Sequence, residues 1–296
     1  MSVLALVSVL YNSNKVLEDF LRSISLQSFK NYHVYLIDNS PSAETDLLIQ
    51  DVLKRFPLSA LTKVKNPANY GVAKGNNQGI ELAINDKAEY ILLLNNDICF
   101  SQTYLFDKLI EYAEKEPIIV PKIYHFGTKQ IWFADGKFVH YKGTSRTIGE
   151  KIQDTGQYNE TGYVDYAPTC FMLINKMVFN TVGLMDEQYF VYYDDNDFVL
   201  RAKNKGFKIF YLPDIEVYHK VSISTGGAES LFSIYYLNRN RIYFIKKHYS
   251  FPLKQIAFTH TLLTKSIRYL MYDKLRQRQL AKAVKDGFTM NVNKKS

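Results

Sequence analysis

The sequence predicts an α/β protein: a mostly parallel sheet flanked by helices, followed by a C-terminal helical extension. Three observations predict it. Short apolar runs alternate with helix-patterned stretches through the first hundred residues. Several of those runs stop abruptly at polar residues, as strands do at the edge of a sheet. Beyond about residue 229 the pattern turns helical and basic. The expected division is therefore an α/β unit over 1–228 and a helical extension over 229–296.

The elements follow in order. Val3–Leu10 is an apolar run that reads as the first strand. Leu17, Phe20, Leu21 and Ile24 recur at helical spacing and predict a helix over 14–26. Tyr32–Ile37 is the second strand and Thr45–Arg55 a helix; Leu61–Lys65 is a third strand and Val72–Ile84 a helix behind glycines. Ala88–Leu94 is a buried strand that ends at Asn95-Asn96-Asp97. Parallel strands need crossover helices, which cover both faces of the sheet. The stretch 118–162, richer in Gly, Tyr and Thr, reads as strands and long loops. An apolar element follows at 170–180, then a short helix at 198–205 and a strand at 207–212 that stops at Pro213.

Composition sets the class. With 47% hydrophobic and 22% charged residues the chain is globular, and its 23 tyrosines suit polar, stackable sites. Cys99 and Cys170 have no metal-type spacing and are expected to be reduced thiols in the cytoplasm. No apolar run reaches the roughly 18 residues of a membrane span. The N-terminal run lacks a basic leader and a cleavage site, so it reads as a strand rather than a signal peptide. Of 37 basic and 29 acidic residues, 14 basic and two acidic (Asp273, Asp286) lie from Leu231 onward. The body is mildly acidic and the tail strongly basic, a pattern that meets phosphate in lipid head groups or nucleic acid.

In open α/β sheets ligands bind beyond the carboxyl ends of the strands, and Asn12, Asp38 and Asp97 each follow a predicted strand. A carboxylate at Asp97 can hold a divalent cation that bridges a diphosphate; the plain alternative is an Asn-Asn-Asp turn. Asp38 can hydrogen-bond a base or ribose hydroxyl, or close an Asp-Asn-Ser-Pro turn. Gly71, Gly75 and Gly79 recur every four residues. They lack the Gly-Lys-Ser/Thr ending of a P-loop, yet allow close helix packing and leave N–H groups at the helix start to face a nucleotide. Between Tyr189 and Arg201, Asp194, Asp195 and Asp197 fall within four positions, flanked by apolar and aromatic residues. Such carboxylates can serve as a general base or hold a cation, or simply cap a helix. His219 is a possible metal ligand. The other histidines (His33, His125, His140, His248, His260) read as structural.

Together these residues resemble the inverting family-2 glycosyltransferases of GT-A fold, a Rossmann-like mixed sheet, and most closely their bacterial rhamnosyltransferase-like branch. The likeness rests on Val9-Leu-Tyr-Asn12, Ile37-Asp-Asn-Ser40, Asn69-Tyr-Gly-Val-Ala-Lys-Gly-Asn76, Leu94-Asn-Asn-Asp97, Val182-Gly-Leu-Met-Asp-Glu187 and Tyr193-Asp-Asp-Asn-Asp197, with Pro213 to His219 and Tyr235-Tyr-Leu-Asn-Arg-Asn240 completing the order. The resemblance implies Asp195 as catalytic base, paired with Asp194. It implies donor-binding roles for Tyr11, Asn12, Asp38, Asn69, Gly71, Lys74, Asn95 and Asn96, and Asp97 with His219 at a divalent metal, Mg2+ or Mn2+. The implied reaction moves a hexosyl or deoxyhexosyl group from dTDP-rhamnose or a UDP-sugar to a saccharide acceptor, lipid-linked, in bacterial surface polysaccharide synthesis. Relatives often carry Glu where Asp194 stands and Gly-Ala near Thr169-Cys170.

The tail fits that reading. Ile256, Leu263, Ile267, Leu270 and Met271 share one helical face, with Lys254, Lys265 and Arg268 elsewhere. A basic amphipathic helix can lie on an anionic membrane, placing the protein at the inner face of the plasma membrane. Packing on its own core, or a homodimer contact, are the alternatives. No nucleic-acid partner is expected. A sugar-phosphate nucleotidyltransferase, which would need a Gly-rich loop after the first strand, and a non-enzymatic nucleic-acid-binding protein are the competing functions.

Overall fold

The computed structural model describes residues 3–42, 44–220, 227 and 229–292. In chain order the elements are β1 (Leu4–Leu10), α1 (Leu17–Ser25), β2 (Tyr32–Asp38), α2 (Glu44–Arg55), β3 (Leu61–Lys65), α3 (Gly71–Asn85), β4 (Tyr90–Leu94), β5 (Ile98–Cys99) and α4 (Leu105–Ala113). There follow β6 (Ile118–His125), β7 (Ile131–Phe133), β8 (Asp135–Val139), a 3-10 turn (His140–Lys142), β9 (Thr144–Ile148), β10 (Gly162–Val164), β11 (Phe171–Asn175), α5 (Lys176–Val182), α6 (Asp194–Asn204) and β12 (Ile209–His219). Three helices end the chain: α7 (Leu231–His248), α8 (Leu253–Met271) and α9 (Lys274–Thr289).

The main sheet runs β10-β12-β6-β11-β4-β1-β2-β3. Its β4-β1-β2-β3 half is parallel, as the strand–helix alternation predicts. β11 is antiparallel to both β4 and β6, which makes the whole sheet mixed. Strand interiors such as Leu4–Val7 and Ile91–Leu94 are buried, as a sheet covered on both faces requires. The glycine spacing of α3 serves close packing: a Cβ at Gly75 would lie 2.7 Å from Val9, and one at Gly79 2.3 Å from Val7.

The structure departs from the sequence expectation at three places. The strand expected to stop at Pro213 runs on to His219, with a register shift between Leu212 and Glu216. Proline lacks an N–H and is tolerated at such an irregularity, so the break is local. The helix expected over 198–205 begins at Asp194, so the acid cluster forms its first turn. Asp38 is the last residue of β2, in register with Leu10 and Lys65, rather than the residue after it.

The C-terminal helices share in this core. Tyr243, Phe244 and Ile245 of α7 belong to the same buried cluster as the sheet. α9 packs on α7, where a Cβ at Gly287 would lie 2.7 Å from the Arg239 carbonyl. Among the described residues no helix is long and apolar enough to cross a membrane.

Candidate active site

At the carboxyl edge of β1, β2 and β4, short loops are cross-braced by side-chain amides. The Asn96 amide donates to the Val9 carbonyl at 2.6 Å, and the Asn95 N–H to the Cys170 carbonyl at 2.8 Å. Asn12 is left-handed (φ 51°), and its N–H donates to the Ser40 hydroxyl at 3.0 Å. Tyr11, beside it, is exposed. Asp38 is fully buried: one carboxylate oxygen accepts from the Ser40 N–H and the other pairs with Lys65, both at 2.8 Å. Lys65 was not singled out from sequence; its register opposite Asp38 is a tertiary fact.

The start of α3 is more constrained than expected. The Gly71 N–H donates to Asn69 at 3.0 Å and the Val72 N–H to the Phe190 carbonyl at 2.7 Å, so these two donors are already used. Gly71 is left-handed (φ 82°), and a Cβ there would meet the Phe190 carbonyl oxygen at 2.3 Å. Lys74 lies over the Tyr70 ring at 4.7 Å, with Glu187 at 3.9 Å. These contacts join the glycine motif to the segment that leads into α6.

Asp97 and His219 are brought together as expected, with carboxylate oxygen and ring Nε2 3.2 Å apart. β12 sets His219 opposite Ile98, and the Trp132 ring meets the imidazole edge-on at 4.4 Å. Among the described residues the buried His219 Nδ1 has no hydrogen-bond partner, and the buried Asp97 Oδ1 faces the imidazole as an ion-pair contact without a well-formed hydrogen bond. His125, read from sequence as structural, lies in register with His219 and carries another such nitrogen, Nε2. Buried polar atoms without partners are uncommon and call for a reason. The donor chemistry of Asp97 and His219, one oxygen and one imidazole nitrogen, fits a divalent cation whose other positions would go to phosphate oxygens and water. Among the described residues no three His, Cys, Asp or Glu side chains converge to enclose an ion.

The three acids at the start of α6 have three different environments. Asp197 is fully buried and bonded to Arg201, Lys247 and His248, each at 2.7 Å. Burial alone would raise its pKa, but the His248 hydrogen bond, with Arg201 and Lys247, holds it well below the ordinary carboxylate range. It ties α6 to α7. Asp194 is buried too; desolvation, with the Asp195 charge beside it, pushes it up to about 8. Asp195 is only partly buried. One of its oxygens accepts from the Tyr166 hydroxyl at 2.5 Å, and the other from the Asn196 N–H at 2.7 Å and the Asn196 amide at 3.0 Å. Its orientation is therefore fixed while part of it stays open to solvent.

Two of the residues that set this turn were not legible as such. Tyr192 and Tyr193 are both left-handed (φ 63° and 69°), a strained pair for non-glycine residues. The fully buried Asn240 of α7 holds them, donating to the Val191 and Tyr192 carbonyls at 2.8 Å each. Tyr166, buried, presents its hydroxyl to Asp195. Asn240 lay in a motif quoted above but without a role, and Tyr166 carried no local signal. Cys170, whose carbonyl accepts from the Asn95 N–H of the sheet-edge turn, has a buried thiol pushed well up by burial and then by the Asp97 and Asp195 charges.

Comparison with known proteins bears on the family and the fold. Residues 6–183 match the model of glycosyl transferase family 2. A low-salt glycan biosynthesis hexosyltransferase of Haloferax volcanii is 25% identical over 203 residues, 66% of this chain, which spans only 64% of that relative's length. A dTDP-rhamnosyl transferase of Shigella flexneri is 25% identical over 273 residues, covering 86% of each chain. An N-acetylglucosaminyl-diphospho-decaprenol L-rhamnosyltransferase of Mycobacterium tuberculosis is 26% identical over 249 residues, 76% of this chain and 78% of the relative. Among solved structures, S. aureus TarS 1–349 with UDP-GlcNAc superposes with a TM-score of 0.63 at 17% identity, covering 97% of this chain and 80% of that one. A Pyrobaculum calidifontis mannosyltransferase with GDP-Man and Mn2+ gives 0.59 at 12% identity, covering 97% and 86%. At these identities the structural likeness establishes the fold, which is GT-A.

Proposed function

We propose a function from one premise: the chain belongs to glycosyl transferase family 2. It transfers a hexosyl or deoxyhexosyl group, with inversion, from a nucleoside-diphosphate sugar to a saccharide acceptor carried on a lipid. dTDP-rhamnose is the favoured donor and a UDP-sugar the second, following the relatives' names. The observation that supports this reading is an oriented, partly open carboxylate, Asp195, in the same chain as the paired Asp97 and His219 of the sheet edge.

Asp195 takes the proton from the acceptor hydroxyl as that oxygen attacks the anomeric carbon. Tyr166 and Asn196 hold its carboxylate in one orientation, so little is lost in aligning the base. Asp194, leaning toward its neutral form, limits the negative charge beside it. The bond to the departing nucleoside diphosphate breaks on the opposite face of the sugar, which inverts the configuration. Asp97 and His219 would hold a divalent cation, Mg2+ or Mn2+, which when bound offsets charge on the leaving diphosphate. On this reading Asn12 and the Asn95-Asn96 turn face the donor, Asp38 braces them from beneath through Ser40 and Lys65, and Tyr11, Asn69, Gly71 and Lys74 shape the rim.

The extension supports a membrane location. On α8, Ile256, Leu263, Ile267, Leu270 and Met271 are all exposed, Leu270 by 81%, rather than packed on the protein's own core. A helix with such a ridge among Lys and Arg residues suits the anionic inner face of a membrane, where a lipid-linked acceptor resides. A homodimer contact is the other occupant this ridge would accept.

The test is release of free nucleotide from dTDP-rhamnose and UDP-sugars, with a lipid-linked saccharide present, with Mn2+ or with a chelator. Acceptor-dependent release from one donor, lost on chelation, is the expected result. No release from any donor overturns the reading.

A further inference from the structure

A cluster of cations lies beside the acid turn, and the chemistry above does not use it. Arg241 of α7 donates through Nε to the Tyr193 hydroxyl at 2.9 Å, and that hydroxyl donates to the Gly143 carbonyl at 3.1 Å. Two residues after Gly143, Ser145 meets the Tyr166 hydroxyl that binds Asp195, so Arg241 reaches the base side of the site. α8 packs across the 3-10 turn His140–Lys142, where the Tyr141 ring meets His260 edge-on at 5.5 Å. Next along α8 come Lys265, half-buried, and Arg268. Burial, then Arg241 and Arg268, push the Lys265 amine down to about 8. Burial, then Lys142, Arg241 and Lys265, lower His260. Among the described residues the acid acting on Lys265 is Glu229, and that carboxylate is already taken by Arg268 and, at 2.9 Å, by the Tyr272 hydroxyl.

Like charges held together and partly desolvated are unfavourable unless an anion joins them. We propose that Arg241 and Lys265, flanked by Arg268 and Lys142, hold the diphosphate of the acceptor, the group that links its sugar to the lipid. The inference rests on the transferase reading above. In an inverting displacement the donor diphosphate leaves from the face opposite the base, so a phosphate site on the base side belongs to the acceptor. The same helix carries the exposed ridge of Leu263, Ile267 and Leu270, where the lipid chain would continue.

The experiment compares two acceptors, N-acetylglucosaminyl diphosphate on a short polyprenol and the phosphate-free octyl N-acetylglucosaminide. It uses wild type, Lys265→Gln, Lys265→Gln/Arg268→Gln and the charge-keeping Lys265→Arg, with melting temperatures to confirm folding. Wild type is expected to prefer the diphosphate acceptor in kcat/KM. Lys265→Gln should cut that preference about tenfold, the double variant further, and Lys265→Arg should retain it. A preference unchanged in the glutamine variants overturns the proposal. So does loss only of binding to phosphatidylglycerol vesicles relative to phosphatidylcholine, which would mark a head-group site. A wild type that uses both acceptors equally overturns this proposal and leaves the transferase standing. A wild type that consumes no donor with either acceptor overturns both.

Discussion

The sheet edge and the first turn of α6 are built on opposite terms. Around Asp97, buried ring nitrogens of His219 and His125 lack hydrogen-bond partners among the described residues. Around Asp197 the carboxylate is bonded to Arg201, Lys247 and His248, and the strained Tyr192-Tyr193 pair is held by Asn240. The first region is suited to take up an external ligand. The second spends its interactions on keeping one carboxylate, Asp195, in one orientation. Donor binding and proton removal should therefore separate on mutation.

The largest expected effect is catalytic. Asp195→Asn should lower kcat by about 10²–10⁴-fold, the usual worth of a positioned base, in a steady-state transfer assay. Asp197→Asn should act on stability instead: breaking a buried, paired charge costs about 3–5 kcal/mol, read by urea unfolding. A variant as stable as wild type would show that the α6–α7 tie is dispensable. Gly71→Ala should cost about 2–4 kcal/mol, combining an unfavourable left-handed backbone with a clash on Phe190.

Asn240→Ala sharpens the comparison, because it touches no reacting group. It should cost about 1–3 kcal/mol of stability and lower kcat more than it raises donor KM, since the turn it holds aims Asp195. A separate effect is the pH dependence from Asp194. Its folded pKa, near 8, exceeds the ordinary carboxylate value, so between the two the folded chain keeps a proton that the unfolded chain releases. Stability contributed by that proton is present below the ordinary value and lost as pH rises toward 8. Asp194→Asn should flatten the fall in melting temperature between about pH 4 and 8, a window taken from those two pKa values.

Much of the parallel half was legible because its signals are local. Apolar runs such as Tyr90–Leu94, ending at Asn95, report a buried strand without knowledge of its neighbours. Asp97 and His219 could be named as candidates from their residue types and from the family resemblance. The Pro213 bulge was not legible, since only pairing with β6 and β5 carries β12 past it. Nor were the separate fates of Asp194, Asp195 and Asp197, which depend on Tyr166, Arg201, Lys247 and His248 arriving from elsewhere in the chain. Three identical side chains in four positions carry no local sign of which will be buried, paired or open.

The division between the two regions is tested most directly by calorimetric titration of dTDP and UDP, with Mn2+, into wild type, Asp97→Ala and Asp195→Asn. The account predicts that Asp195→Asn binds the preferred nucleotide as wild type does, while Asp97→Ala loses the metal-dependent part of the affinity. Equal loss of nucleotide affinity in both variants would contradict it.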